Sequence, residues 1–178
     1  MPPLSLSHIL MVIGAMACIV LGDTGGKTLT EQGISPYFAA WGRFTLAAIA
    51  LAPFAGLSRA DLPAFKDRRV LFRTLLIVCG ISAILTALKT EPIANVFGAF
   101  FIGPVVAYFG SALLLREQIT LTRALLLLVG FAGVLLVVKP GFGMSSGMGF
   151  ALLAGVFYGS YLVATRLIAG EYRPRLLL

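Results

Sequence analysis

Charged side chains are scarce in this sequence. Only 12% of the 178 residues are Asp, Glu, Lys or Arg, whereas 59% are hydrophobic. A soluble domain of this size needs far more polar surface to cover its core. The mean hydropathy of +0.99 agrees with this deficit. The composition therefore excludes a water-soluble domain or enzyme, and it predicts an integral membrane protein whose main partner is the lipid bilayer.

Histidine and cysteine are nearly absent, and this limits the chemistry that the chain can perform. His8 is the single histidine, and both cysteines, Cys18 and Cys79, lie inside apolar runs. There a cysteine acts as a small apolar side chain. The sequence has no residues with metal-ligand spacing and no convergent acid, base and nucleophile. We therefore expect no enzyme activity, no metal and no other cofactor.

Acidic residues are half as frequent as basic ones, and the net charge is +7. A basic chain can bind nucleic acid, but here the basic residues lie in short loops between apolar runs. One set of alternate loops holds Arg59, Lys66, Arg68, Arg69, Arg73, Arg116, Arg123, Arg166, Arg173 and Arg175, and the other holds Lys27, Lys89 and Lys139. This bias is the positive-inside pattern of membrane proteins. It predicts that both termini are cytoplasmic and that nucleic acid is not a partner.

Six apolar segments are long enough to cross a bilayer as helices. They cover residues 8–28, 36–57, 70–89, 92–114, 123–139 and 148–169. Glycine, proline and serine mark the breaks between them, as is typical of turns. The predicted fold is an all-α, polytopic transmembrane bundle of about six helices.

Three charged residues lie within or beside the first two predicted helices. Arg43 is about two turns inside the second helix, where an unpaired charge costs several kcal/mol. Three alternatives remain open for it: its side chain extends to the external interface, pairs with Asp23 or Glu91, or faces an aqueous pathway. Asp23 and Lys27 are four residues apart, so they could instead pair with each other on one helix face. All three are candidates for the substrate pathway.

Small side chains recur every four residues along the fourth predicted helix: Asn95, Ala99, Gly103, Ala107 and Ser111. Such a ridge lets another helix approach closely. Pro104 removes one backbone hydrogen bond near mid-membrane and predicts a kink. The kink either accompanies tight packing or opens a central cavity, with Asn95 and Tyr108 near its wall as substrate-pathway candidates.

Gly155 and Gly159 form a GxxxG motif in the sixth predicted helix. The motif predicts close helix packing, either within the bundle or against further helices. Tyr158 and Tyr161 flank it. Their rings either pack or lie at the interface, or they stack on a planar substrate, which makes them further pathway candidates.

A resemblance to a known family spans most of these elements. Its features are Ile93-Ala94-Asn95, the central Pro104, the run Leu113-Leu114-Leu115-Arg116-Glu117, and the run Gly130-Phe131-Ala132-Gly133-Val134-Leu135-Leu136. In this order they resemble the EamA domain of the drug/metabolite transporter (DMT) superfamily. Gly42-Arg43-Phe44 is similar to the family's Arg-Phe signature.

The resemblance implies an architecture of ten helices in two inverted five-helix repeats. Residues 1–139 would form the first EamA repeat, and residues 148–178 would hold the first helix of a truncated second repeat. The implied function is that of a secondary transporter, or permease, which moves small organic metabolites or drugs across the inner membrane by alternating access. The alternative is a non-transporting membrane subunit, or a non-functional fragment, that packs against a partner bundle. That partner would be a second copy in a dimer or the missing repeat.

Overall fold

The computed structural model describes residues 5–56, 59–138 and 145–173, together with Leu176. Within these ranges the chain forms helices and no strands. The helices are α1 (Leu6–Glu31), α2 (Pro36–Ala55), α3 (Arg68–Thr90), α4 (Ile93–Phe100), α5 (Ile102–Leu115), α6 (Leu121–Val138) and α7 (Ser146–Ile168). The segment Arg59–Lys66, predicted from sequence as a break, forms a 3-10 helix. The all-α helical bundle is confirmed.

Five segments of the described chain are long and apolar enough to cross a membrane: α1, the part of α2 from Pro36 to Phe54, α3, the α4–α5 pair, and α7. The sixth, α6, has a shorter apolar stretch, Leu121–Leu136. Helix α1 runs to Glu31 and therefore includes the polar residues beyond the first apolar run. The protein is a multi-pass membrane protein.

The fourth predicted span is confirmed as a candidate membrane span over Ile93–Leu115, and a single interruption at Phe101 divides it into α4 and α5. Pro104 explains the division. It has no N–H to donate to the carbonyl oxygen of Phe100, four residues earlier, and its ring crowds that carbonyl. The helix therefore breaks three residues before the proline and then resumes.

Helices α3 and α7 form the centre of the bundle. One third of the apolar stretch of each is buried, compared with 6% for α1 and α2. Leu85 and Leu88 of α3 and Ala151 and Ala154 of α7 are almost fully buried in one core. Helix α7 packs along α3 on one side and along α4 and α5 on the other. The sixth predicted span is thus an integral part of the core.

The two ends of the bundle differ in charge. The end formed by residues 59–73, 116–123 and 166–173, here called the basic end, holds most of the arginines. The opposite end, here called the low-charge end, is formed by residues 32–35 and 91–92 and by Ser145. Interhelical contacts within each end are consistent with helices that cross in alternating directions. The sequence bias predicts that the basic end faces the cytoplasm.

Candidate functional site

The GxxxG motif of α7 packs against the break in the fourth span. A Cβ added to Gly155 would lie 2.7 Å from the carbonyl oxygen of Phe100, and one added to Gly159 would overlap with the carbonyl oxygen of Gly103. From the other side, a Cβ on Gly103 would lie 2.9 Å from the carbonyl oxygen of Gly155. Backbones can come this close only where side chains are absent. The motif therefore joins α7 to α4 and α5 within the chain, and does not face further helices.

Aromatic rings lie beside this backbone contact. The ring centroid of Tyr158 is 5.1 Å from that of Phe100 and 6.1 Å from that of Tyr161. Both tyrosines are partly buried. These separations are typical of interacting aromatic pairs. The three rings form a continuous apolar surface next to the break, and this surface is here called the aromatic layer.

Arg73 extends the aromatic layer toward the basic end. Its guanidinium lies 4.6 Å from the centroid of the Tyr161 ring, donates a hydrogen bond to the Tyr161 hydroxyl (2.8 Å), and donates another to Thr165 Oγ1 (2.9 Å). Only 8% of Arg73 is exposed. The positive-inside pattern placed Arg73 among the loop residues, and this buried position was not predicted. Its place four residues inside the third apolar segment was a usable signal, since intramembrane arginines are rare.

Asp23 and Arg43 form an ion pair between α1 and α2. Asp23 is only 3% exposed, whereas the Arg43 side chain is 30% exposed. The guanidinium also lies beside Gly22, where an added Cβ would be in ordinary van der Waals contact with it. Of the alternatives left open by the sequence, the structure contains the pair with Asp23. Asp23 does not pair with Lys27.

Lys27 joins α1 to the end of α3 at the low-charge end. Its ammonium donates hydrogen bonds to the carbonyl oxygens of Leu88 and Glu91, each at 3.0 Å, and it forms an ion pair with Glu31 at 3.3 Å. The last carbonyls of a helix have no partner within the helix, so a cation there is stabilising. The Glu91 side chain accepts a hydrogen bond from Ser145, just before α7. The low-charge end is thus closed by contacts among α1, α3 and α7.

A pocket of about 500 Å³ opens at the basic end between α5, α6 and α7. Its lining consists of Tyr108, Ala112, Glu117, Gln118, Ile119, Thr120, Arg123 and Arg166. The Tyr108 hydroxyl bridges the turn before α6, since it accepts from the Thr120 N–H (3.1 Å) and donates to the Thr120 carbonyl (3.2 Å). Arg166 donates to Ser111 Oγ at 3.1 Å and to Glu117 at 3.3 Å.

A cluster of four polar side chains at the basic end joins the start of α3 to the end of α7. This cluster is here called the polar clamp, and it consists of Asp67, Arg69, Glu171 and Tyr172. Arg69 donates two hydrogen bonds to the carboxylate of Glu171, at 2.7 and 2.6 Å, and one to Asp67 at 3.2 Å. The Tyr172 hydroxyl donates to Asp67. This bond, together with those from Arg69, lowers the pKa of Asp67 to about 2. The bonds from Arg69 also lower the pKa of Glu171.

The predicted pathway residues therefore fall into separate groups. Asp23 and Arg43 contact each other, Lys27 lies at the low-charge end, and Tyr158 and Tyr161 lie in the aromatic layer. Asn95 is partly buried near the start of α4, whereas Tyr108 lies 13 residues further along the span, about 20 Å away along a helix axis. The structure does not bring Asn95 and Tyr108 together around one cavity.

Paired ionisable groups within apolar helices, together with a span broken beside a glycine face, define the class of protein: a multi-pass helical membrane protein with the features of a transporter. The family model for the EamA-like transporter family matches residues 6–139. The chain belongs to the EamA-like transporter family. It is therefore a membrane transporter of the drug/metabolite transporter type. No curated protein and no solved structure gives a significant match.

Proposed function

We propose that this chain is a secondary transporter that moves small organic metabolites across the inner membrane by alternating access. Family membership supports transport, and the break between α4 and α5 is the observation that carries the proposed mechanism. Irregular backbone at membrane depth is tolerated where it is buried in protein or lines a cavity. Discontinuous helices form substrate sites in several transporter folds, and the one-residue interruption at Phe101 is a smaller irregularity of that type. No ATP-binding motif is present in the sequence, so the energy would come from a solute or ion gradient.

The aromatic layer is the proposed substrate site. The Tyr158 ring contacts both Phe100 and Tyr161, beside the Phe100 carbonyl that Pro104 cannot satisfy. A planar substrate would replace the ring-to-ring contacts with stacking on its own faces. It could donate a hydrogen bond to the Phe100 carbonyl once α7 has moved Gly155 away from that oxygen. Gly155 and Gly159 lie against the Ile102 and Val106 side chains of α5, so a movement of α7 past α5 would shift these two side chains along the glycine face.

The contacts at the low-charge end are the proposed gate. Opening this end would separate α1 from α3 and would break the hydrogen bonds from Lys27 to the carbonyls of Leu88 and Glu91. It would also separate Ser145 from Glu91. The pair of Asp23 and Arg43 would keep α1 and α2 together, so that the two helices move as one unit. Opening the gate would break only these few hydrogen bonds between helices, and the helices themselves would stay folded.

Flux into proteoliposomes tests the proposal. The purified chain is reconstituted, and uptake of radiolabelled amino acids, nucleosides and vitamins is compared with uptake into protein-free liposomes. We expect saturable uptake of one solute class that unlabelled solute inhibits. The alternative, a subunit that packs against a partner bundle, predicts no saturable uptake of any solute and purification only together with a stable partner. That result would reject transport by this chain alone.

A further inference from the structure

We propose that the pocket at the basic end binds the phosphate group of an anionic amphiphile. The proposal is independent of the transport function, because it rests on the side chains that line the pocket between α5, α6 and α7. Its volume of about 500 Å³ lies within the range of small-molecule sites. A phosphate with its attached polar groups fits a space of this size.

Two arginines from different helices supply the positive charge. Arg166 comes from α7 and Arg123 from the first turn of α6. Guanidinium groups bind phosphate oxygens through paired hydrogen bonds. Among the residues that the structure describes, no ion pair joins Arg123 to an acid, so its donors are directed to solvent or to a ligand. The unpaired N–H groups at the start of α6 add a further positive potential.

The turn that forms one wall is held in place. The Tyr108 hydroxyl bonds both the N–H and the carbonyl of Thr120, and Arg116 ends α5 in a left-handed conformation with φ of 54°. These contacts position the Gln118 and Thr120 side chains at the pocket. The wall is therefore built before a ligand arrives, which lowers the entropy lost on binding.

The negative charge of Glu117 should weaken phosphate binding, and this effect can be tested by substitution. Its carboxylate lies in the pocket and pairs with Arg166 at 3.3 Å, so it competes with a phosphate for the same guanidinium. Both side chains are more than half exposed, so the pair is weak and exchangeable. Removing the Glu117 charge should therefore strengthen phosphate binding, whereas removing the Arg123 charge should weaken it.

Exposed leucines beside the pocket favour an amphiphile. Leu113 and Leu114 at the end of α5 and Leu121 and Leu125 at the start of α6 are 52–81% exposed. They lie close in sequence to the lining residues Ala112 and Thr120 and at the ends of apolar helices, where a bilayer's headgroups would meet its acyl chains. Basic pockets between transmembrane helices are known sites for anionic headgroups. A basic pocket with apolar flanks fits a molecule that has both an anionic headgroup and an apolar chain.

The test measures binding of short-chain phosphatidylglycerol to the full chain in neutral detergent, by native mass spectrometry. Phosphatidylcholine is the zwitterionic control, and Arg68→Gln is the matched control variant, because Arg68 is an exposed arginine at the same end outside the pocket. We expect Arg123→Gln to weaken phosphatidylglycerol binding about fivefold, since one cation near a membrane surface contributes about 1 kcal/mol. Glu117→Gln should strengthen it, and Arg68→Gln should leave it unchanged.

Competition with inorganic phosphate distinguishes the two sources of the ligand. Displacement of the lipid by millimolar phosphate would assign the site to free phosphate compounds, whereas binding that resists phosphate would assign it to membrane lipid. Only the second result supports the proposed amphiphile, and the first would overturn it in favour of a soluble phosphate compound. Equal binding of both lipids, or unchanged binding by Arg123→Gln and Glu117→Gln, would overturn the proposal. Both substitutions are at exposed positions and should leave the fold intact, so loss of folding does not obscure the result.

Discussion

Gly159 of α7 lies directly against the carbonyl oxygen of Gly103 in α5, with no room for a side chain between the two backbones. Together with Gly155 and Phe100 one turn earlier, this contact fixes how α7 crosses the broken fourth span. In a bilayer, van der Waals packing of this kind is a main source of helix association, because lipid tails are as apolar as the side chains. The contact therefore matters for stability and for the proposed movement of α7.

Gly159→Ala should destabilise the protein. The added Cβ overlaps with the Gly103 carbonyl and approaches Val106, and neither is the end of a flexible side chain. Overpacking of this kind costs about 1–3 kcal/mol, which lowers the unfolding midpoint by about 3–10 °C. Thermal unfolding in detergent measures it. Gly149→Ala is the matched control in the same helix, since its Cβ would meet nothing within 4 Å. An equal effect of both substitutions would show that the contact is not specific.

Removing both partners of the Asp23–Arg43 pair should destabilise the protein less than the sum of the two single removals. Asp23→Asn leaves Arg43 without its counter-ion, and Arg43→Gln leaves a buried carboxylate. The double variant Asp23→Asn with Arg43→Gln leaves two neutral groups, so a favourable coupling of about 1–3 kcal/mol should separate it from the sum of the single variants. The partial exposure of Arg43 favours the lower part of this range. Additive effects in a double-mutant cycle of unfolding midpoints would mean that the pair contributes nothing.

The polar clamp predicts a pH dependence. The pKa of Asp67 is lowered to about 2 in the folded protein, so the stability that Asp67 contributes is complete above its unfolded pKa near 3.8 and is lost as the pH falls toward 2. Tyr172→Phe removes the largest cause of the shift and should raise the pKa of Asp67 toward 3.8. The carboxyl ¹³C shift of labelled Asp67 follows this titration in micelles. Tyr37→Phe serves as control, because Tyr37 is exposed on α2, and an unchanged Asp67 midpoint in Tyr172→Phe would refute the assignment.

Local features could be predicted well from the sequence, whereas the contacts between distant helices could not. Apolar length located the spans, and Pro104 indicated a break, because both effects act within a few residues. The role of Arg73 depends on α7, whose Tyr161 is 88 residues away from Arg73. Arg69 and Glu171 are separated by 102 residues. Apolar helices carry little periodic signal for which face is buried, so contacts between distant helices require the structure.

Pro104→Ala should slow transport if the broken span forms the substrate site. The substitution restores an N–H that can bond the Phe100 carbonyl, and one added hydrogen bond of about 1 kcal/mol favours a continuous helix, enough to reduce flux about fivefold. Amide hydrogen exchange over residues 100–106 should slow at the same time, because the helix becomes continuous. Pro53→Ala is the matched control, since Pro53 lies inside α2 at an exposed position near the basic end. Slower exchange together with unchanged proteoliposome flux would show that transport does not depend on the break. The proposed substrate site in the aromatic layer would then lose the support of the Phe100 carbonyl.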